Sequence, residues 1–171
     1  MSYWLCHWQN RFWKADVNRE GERLSRSYGN MFKTRDVRRG DIVYIVSLRE
    51  GVLLLGGTMT VATVGPSDRK KVFQSGEMIT GREGTRLDLH RGLMPDLARE
   101  IRYLDPKGVR KPLHFIPGTD QVYGQATRNL PEIDEASANI LDRVIAITDS
   151  TPITKELRLI SSRQLATSTR A

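Results

Sequence analysis

The sequence has a single cysteine, three histidines and no long apolar run. With Cys6 alone, an intramolecular disulfide is excluded, and no apolar stretch approaches the ~20 residues that cross a membrane. The first eight residues show neither the basic start nor the cleavage site of a secretory signal. These absences favour a protein of the reducing cytoplasm that has no membrane partner.

The residues that usually hold metals or cofactors are also sparse. His7, His90 and His114 lie far apart, and a strand would point Cys6 and His7 to opposite faces, so neither a zinc site nor a Cys and His nucleophile pair is predicted. A phosphate-binding glycine loop is missing too, because the pair Gly56–Gly57 lacks the following Lys and Ser or Thr. The sequence therefore predicts no metal and no cofactor.

Positive charge is what the sequence has in excess. Lysine and arginine number 27 against 20 acidic residues, a net charge of +7. The excess lies in residues 1–50, with ten basic and six acidic groups, and in residues 66–112, with eleven and seven, whereas residues 113–150 carry two and six. This excess of positive charge favours a nucleic-acid partner. A basic surface exposed to solvent would explain the same net charge equally well.

The stretch Val37–Ser47 is the centre of the predicted fold. Its polar turn ends in Gly40 and Asp41, and the continuous β-branched and aromatic run that follows is typical of a buried strand. A second strand is predicted from Val52 to Val64, with an interruption at Gly56–Gly57 that indicates a bulge. Together they form a long β-hairpin whose apolar face needs cover.

Other elements supply that cover. Alternation in Tyr3–Trp8 places apolar side chains on both sides of a strand, which predicts a position inside the sheet. A helix is predicted over Glu135–Ile145, with Asp134 as its cap. Residues 93–104 fit either a helix or a loop followed by a strand, a short strand is expected over 72–74, and the polar segment 75–91 suggests an exposed arm.

These elements predict one α+β domain over residues 1–150, built on a small bent β-barrel flanked by short helices. Residues 151–171 are predicted to be a C-terminal extension, with an edge strand over Glu156–Ile160 and a frayed tail from Ser161.

Three segments in this order resemble the PUA-like superfamily, within its EVE, YTH and ASCH group. They are Tyr3–Leu5 at the amino terminus, Gly40–Val43 at the start of the hairpin, and Arg128–Leu130 before the late helix. The resemblance implies a bent barrel with a pocket beside it that holds a nucleobase. It also implies a reader that is not an enzyme, with modified DNA favoured over RNA as ligand and an associated nuclease as a candidate partner.

A base removed from its stack must be sandwiched by aromatic faces and hydrogen-bonded at its edge, while basic groups hold the adjoining phosphates. The residues available for the base are Trp8, Asn10, Trp13, Tyr28, Asn30, Ser47 and Gln125, and those for the phosphates are Arg69, Lys70, Lys71 and Arg128. For Trp8 and Trp13, core packing is an equal alternative, and Arg128 is as well suited to a structural ion pair.

Two enzyme alternatives stay open. Pro95 and Asp96, followed by Asp105–Lys107, match the spacing of a nuclease pattern in which two carboxylates hold Mg²⁺, but Asp105–Gly108 is typical of a turn and not of the strand which that chemistry needs. A modified-nucleoside hydrolase of ASCH type needs a Lys, a Thr and a Glu in one pocket, and no spacing in the sequence selects them.

Overall fold

The computed structural model describes residues 1–15, 17–68 and 76–168. In chain order the elements are β1 (Tyr3–His7), α1 (Asn10–Ala15), a 3-10 turn (Val17–Arg19), β2 (Arg26–Gly29), β3 (Ile42–Arg49), β4 (Val52–Pro66), β5 (Glu77–Arg82), β6 (Arg91–Leu93), α2 (Pro95–Ala98), β7 (Arg102–Leu104), β8 (Arg110–Pro112), β9 (Glu132–Ile133), α3 (Glu135–Asp149), β10 (Arg158–Ile160) and α4 (Ser162–Ser168). The chain is α+β, with a sheet core and a few mostly short helices.

The strands form one branched sheet. Its main order is β10, β6, β4, β3, β1, β9, β7, β8, while β5 pairs with β4 and β2 pairs with β5. β1 runs parallel to β3 and antiparallel to β9, so the first strand lies in the middle of the sheet. Among the described strands, pairing does not connect β8 back to β10. The sheet is therefore not closed, and the predicted barrel is not confirmed.

The predicted central hairpin is confirmed. β3 and β4 pair antiparallel from Ile42 opposite Thr60 to Arg49 opposite Val52, with a register shift between Ile45 and Val46. Gly57 lies opposite Ile45 and has a φ of 147°, a conformation that residues with a side chain rarely adopt. The bulge falls at the predicted glycine pair, and β4 has a different second partner on either side of it. Leu54, before the bulge, pairs with β6, whereas Thr60–Pro66, after it, pair with β5.

Both faces of β1 and β3 are buried, as the alternation predicts. One face contributes Leu5, Tyr44 and Val46 to a cluster covered by α3. The opposite face contributes Trp4 and Cys6, among others, to a second cluster. The sheet thus separates two apolar layers, which gives β1 and β3 their nearly continuous apolar sequences.

The late helix is confirmed as α3, and it runs four residues further than predicted, to Asp149. The Asp134 carboxylate accepts a hydrogen bond from the Ser137 amide at 2.8 Å, which satisfies one of the free N–H groups of the first turn. Its buried face includes Ala138, Leu141 and Val144. α3 therefore covers one face of the sheet.

Three segments differ from the sequence predictions. The polar segment expected as an exposed arm contains β5 and the buried residues Leu87, Asp88 and Leu89, because it pairs with β4 and packs under the amino-terminal loop. Residues 93–104 combine the two alternatives, with α2 followed by β7. The edge strand is present as β10, but residues 162–168 form α4, with Leu165 buried, where a frayed tail was expected. The strand predicted over 72–74 lies outside the described residues.

Candidate nucleic-acid interface

A cleft of about 830 Å³ opens where β1 and β2 end. His7 is the last residue of β1, Asn10 is the first residue of α1, and Gly29 is the last residue of β2. The loop before β9 forms the other wall. The residues that line this main cleft are Cys6, His7, Gln9, Asn10, Arg11, Tyr28, Gly29, Asn30, Met31, Phe32, Leu48, Gly124, Arg128, Asn129 and Leu130.

The described lining of this main cleft contains two arginines and no aspartate or glutamate. Arg128 is exposed on the loop wall, and the Arg11 guanidinium lies 4.6 Å from the centre of the Phe12 ring in a cation–π contact. Amide side chains of Gln9, Asn10 and other residues supply hydrogen-bond donors and acceptors. The cleft thus combines positive charge with the polar groups that can read the edge of an uncharged ring.

The Asn10 side chain is hydrogen-bonded to Ser47. The fully buried Ser47 hydroxyl donates to Asn10 Oδ1 at 3.2 Å, across the gap between β3 and the start of α1. This bond favours the orientation in which Asn10 Oδ1 faces Ser47. Ser47 therefore acts as a support for the cleft and does not line it.

His7 forms the floor of the cleft together with the loop. Its Nδ1 lies 2.8 Å from the hydroxyl of Thr127, a residue with no exposed surface. Burial, aided by the charge of Arg128, lowers the pKa of His7 to about 4, so the imidazole is neutral at pH 7. A neutral imidazole offers one N–H donor and one acceptor, and the Thr127 hydroxyl can pair with Nδ1 in either tautomer.

The loop wall is unusual in its backbone. Asn129 and Leu130 have φ values of 68° and 52°, two consecutive left-handed residues without a glycine. Such conformations cost on the order of 1–3 kcal/mol each and concentrate at ligand sites. Here they are held by the buried Leu130 side chain and by Arg35, whose Nε donates to the Asn129 carbonyl at 3.0 Å. The turn presents Arg128 and Asn129 at the mouth of the main cleft.

Four predicted site residues, Asn10, Tyr28, Asn30 and Arg128, line the main cleft together. Gln125 lies next to it, in a neighbouring cleft of about 390 Å³ that shares Arg128 and Asn129 with the first. The basic residues Arg69, Lys70 and Lys71 lie outside the described residues.

The two tryptophans do not fit their predicted role as exposed base-stacking faces. Trp8 and Trp13 are 6% and 2% exposed, and their rings meet edge to face at 6.4 Å. Trp8 Nε1 donates to the Ser27 hydroxyl at 2.8 Å, and Trp13 Nε1 donates to the Leu89 carbonyl at 2.9 Å. Both indoles thus pack in the core and connect α1 and the residue that follows β1 to distant segments. Tyr28 is left as the predicted aromatic residue in the lining.

Sequence reasoning missed His7, Gln9 and Arg11. Each lies within a few residues of the end of β1, where the chain leaves the sheet, and connecting segments on a rigid scaffold often carry ligand contacts. Their position near the end of β1 could have identified them. Their side-chain chemistry alone did not distinguish them from other polar residues of the chain.

One group of side chains has the composition of a metal site. Glu20, Asp88 and His90 bring their donor atoms within 4.8 Å of one another. Several of their donor atoms already have partners in the protein: Glu20 Oε1 accepts from the Leu89 amide and lies 2.7 Å from His90 Nδ1, while Asp88 is ion-paired with Arg158. The trio is therefore part of a buried ion-pair network.

The main cleft has few of the groups that nucleophilic catalysis needs. Cys6 is 4% exposed, and burial raises the pKa of its thiol to about 11, so the thiolate is scarce at neutral pH. Lysine is missing from the described lining, as are carboxylates. Threonine is missing from that lining too, so a hydrolase of the Lys, Thr and Glu type has none of its three groups among these residues.

Comparison of the chain with protein-family models, with curated proteins and with solved structures found no match. Within the described part of the chain, no helix has the length and apolar character needed to cross a membrane.

Proposed function

We propose that the protein is a nucleic-acid reader, and that the main cleft holds one base that has left its stack. The observation that carries this proposal is the composition of the cleft: arginines and amide side chains converge there, with no acidic group among the described lining residues. Its volume of about 830 Å³ falls within the range of roughly 300–1,000 Å³ typical of small-molecule sites. A base with its sugar and one phosphate is a ligand of that class.

Hydrogen bonding at the base edge falls to two groups that already have a partner in the protein. The Asn10 amide is hydrogen-bonded to Ser47, and the neutral His7 ring is hydrogen-bonded to Thr127. Groups that are held in place before binding lose little conformational entropy when the ligand arrives. Tyr28 supplies an aromatic surface, and Arg128 at the mouth suits the phosphate.

The resemblance to PUA-like domains of the EVE and YTH group supports the same proposal. The segments that carry it lie close together: Asp41 accepts from Trp4 Nε1 at 3.1 Å, and the Leu5 amide donates at 3.0 Å to the carbonyl of Pro131, which directly follows Leu130. We take the branched sheet, which is not closed, as an open relative of the PUA-like barrel. In this proposal a modified base in DNA is the ligand, RNA is the alternative, and cleavage belongs to an associated nuclease.

Titration at one fixed salt concentration tests the reader function. The probes are labelled DNA duplexes of one sequence that carry cytosine, 5-methylcytosine or 5-hydroxymethylcytosine at one position, and a single-stranded RNA of the same sequence. Tighter binding of one modified duplex is expected. Equal affinity for the duplexes would remove the modified base, tighter binding of RNA would shift the proposal to RNA, and failure to bind any probe would remove the reader function.

A matched pair of variants ties binding to the main cleft. Asn10→Ala removes a cleft amide and should weaken binding roughly threefold to tenfold, as expected for one hydrogen bond. Asn139→Ala makes the same change at an exposed position of α3 and should bind like the wild type. Equal affinities for the two variants would place the ligand elsewhere.

A further inference from the structure

The second cleft adjoins the first and differs from it in chemistry. Arg128 and Asn129 line both, so the two are separated only by the loop wall that those residues form. The second cleft has a volume of about 390 Å³. Its lining includes Arg35, Tyr103, Asp105, His114, Tyr123 and Arg128.

Three rings from different segments contribute to this second cleft. The Tyr103 hydroxyl lies 2.9 Å from His114 Nε2, and the two ring centres are 6.0 Å apart. The Tyr123 amide donates to the His114 carbonyl at 2.8 Å, which brings Tyr123 next to the other two in the chain fold. Tyr123 is 49% exposed, although large aromatic residues are mostly buried. An accessible ring beside two others is a surface on which a base can stack.

The charges around the second cleft favour a phosphate at its border. Arg35 is held by its bond to the Asn129 carbonyl, and Arg128 lies at the border itself. Asp105 is the carboxylate among the described lining residues, and it is ion-paired with Lys111 Nζ at 2.9 Å. It also accepts from the amides of Lys107 and Val109, so its negative charge is compensated locally.

Two neighbouring nucleotides of a strand are joined by one phosphate. Arg128 lies between the main cleft, which has room for one base, and the aromatic surface of the second cleft. This order of base site, positive charge and stacking surface matches two bases joined through one phosphate. An isolated base would leave the second cleft without a partner.

We propose that the second cleft binds the nucleotide next to the one in the main cleft, with its base stacked against Tyr123, Tyr103 and His114 and the linking phosphate at Arg128. This inference rests on the proposed reader function. It makes the ligand a locally unpaired step of two nucleotides, because both bases must leave a duplex stack. The aromatic surface tolerates any base there, since every base has a π-face.

A mutant cycle tests the inference. The probe is a labelled single-stranded DNA octamer with one 5-methylcytosine, compared with the same octamer in which the nucleotide on the 5′ side, or on the 3′ side, is abasic. RNA versions of the three probes are run in parallel. In the wild type, one of the two abasic probes should bind roughly 5- to 150-fold more weakly than the intact octamer, the effect of losing one base–aromatic stack.

The variants then assign that loss to the second cleft. Tyr123→Ala should weaken binding of the intact octamer by the same factor and should no longer distinguish it from the abasic probe. His114→Ala, a second exposed position, should show the same trend and guards against a folding defect in the first variant. Ile116→Ala, which is 39% exposed and lies outside both clefts, should behave like the wild type.

The outcomes separate the two proposals. If the wild type binds the octamer but Tyr123→Ala responds to the abasic site as the wild type does, the second cleft is not used and the reader function stands. If the wild type binds none of the DNA and RNA probes, both proposals fail. If Tyr123→Ala abolishes the effect of the abasic site with the RNA probes alone, the two-nucleotide site stands and its ligand is RNA.

Discussion

The Thr127 hydroxyl and His7 Nδ1 lie 2.8 Å apart, although 120 positions separate the two residues in the chain. This contact joins the end of β1 to the loop that carries Arg128. It also buries an imidazole whose charged form would have to lose its hydration next to an arginine. The floor of the main cleft is therefore uncharged at neutral pH, while its mouth is positive.

The depressed pKa of His7 predicts a loss of stability in mild acid. The native pKa of about 4 lies below the ordinary value of 6.5, so the unfolded chain binds the proton more readily. The stabilisation is complete above pH 6.5 and is lost as the pH falls towards 4. Between pH 7 and pH 5 the free energy of unfolding should fall by roughly 2 kcal/mol through this residue alone.

Urea unfolding of the wild type and of His7→Gln at both pH values measures that loss. The acidic residues titrate in both proteins and cancel in the comparison. The variant should lose about 2 kcal/mol less than the wild type over this interval. The same pH dependence in the two proteins would show that His7 titrates normally.

Arg128 should contribute to binding through a phosphate and not through folding. Arg128→Ala should weaken octamer binding and reduce the slope of log affinity against log salt by about 0.7–0.9, the effect of one lost phosphate contact. Arg163→Ala, an exposed arginine of α4, is the matched control for charge and should leave the slope unchanged. An unchanged slope for Arg128→Ala would contradict the phosphate role.

Asp41 should be the more sensitive of two neighbouring aspartates. Its buried carboxylate accepts from the Ser2 amide, the Arg38 amide and Trp4 Nε1, so in Asp41→Asn an NH₂ group replaces an acceptor and faces donors. We expect a loss of about 2 kcal/mol in the free energy of unfolding. Asp36→Asn makes the same change at an exposed ion pair with Arg38 and should cost less than Asp41→Asn, because exposed ion pairs contribute little. Denaturant unfolding of both variants checks this, and equal losses would be inconsistent with it.

Gly57 should resist substitution, unlike Gly65 of the same strand. A Cβ at Gly57 would lie 2.7 Å from Thr85 Oγ1 and 2.8 Å from Leu24 Cδ1, and its φ of 147° is strained for alanine. Gly57→Ala should therefore lower the free energy of unfolding by roughly 2–3 kcal/mol. At Gly65 no atom lies within 4 Å of such a Cβ, so Gly65→Ala should be near neutral in thermal unfolding. Two variants of equal stability would show that β4 does not need its bulge.

Local patterns predicted the elements that depend on local rules. The β-branched run of β3 and the cap and apolar face of α3 are readable because strand alternation and helix periodicity act over a few residues. The bulge at Gly56–Gly57 was readable for the same reason, because glycine inside an apolar strand often marks a bulge or a close backbone approach.

The tryptophans show where local rules fail. Trp13 has charged neighbours in sequence, which suggests exposure, yet it is buried because Leu89, 76 positions later, supplies the carbonyl for its indole. No short window contains that partner. The residues that line the main cleft were partly predicted, since Asn10, Tyr28, Asn30 and Arg128 converge, but His7 and Arg11 gain their roles only from the packing of the loop against β1.

The burial of the Arg91 charge could not be predicted from the sequence either. Arg91 has no exposed surface, although it follows a segment rich in polar residues. Burial lowers its pKa to about 10, while Asp88 and Asp149 at 3.7 and 3.9 Å oppose that shift. A polar sequence predicts an exposed segment unless its charges find partners in the fold. Here Asp88 pairs with Arg158 of β10, and Arg91 pairs with Asp88 and with Asp149 at the end of α3.

The central position of β1 has a consequence for folding kinetics. Tyr3 pairs with Ile42 and with Ile133, so the strand that anchors the main cleft closes loops of nearly 40 and 130 residues. High contact order of this kind slows folding, because chain entropy is lost before the distant contacts form. The main cleft is lined by residues from both halves of the chain, so we expect its formation to depend on the long-range pairing of β1 with β3 and with β9.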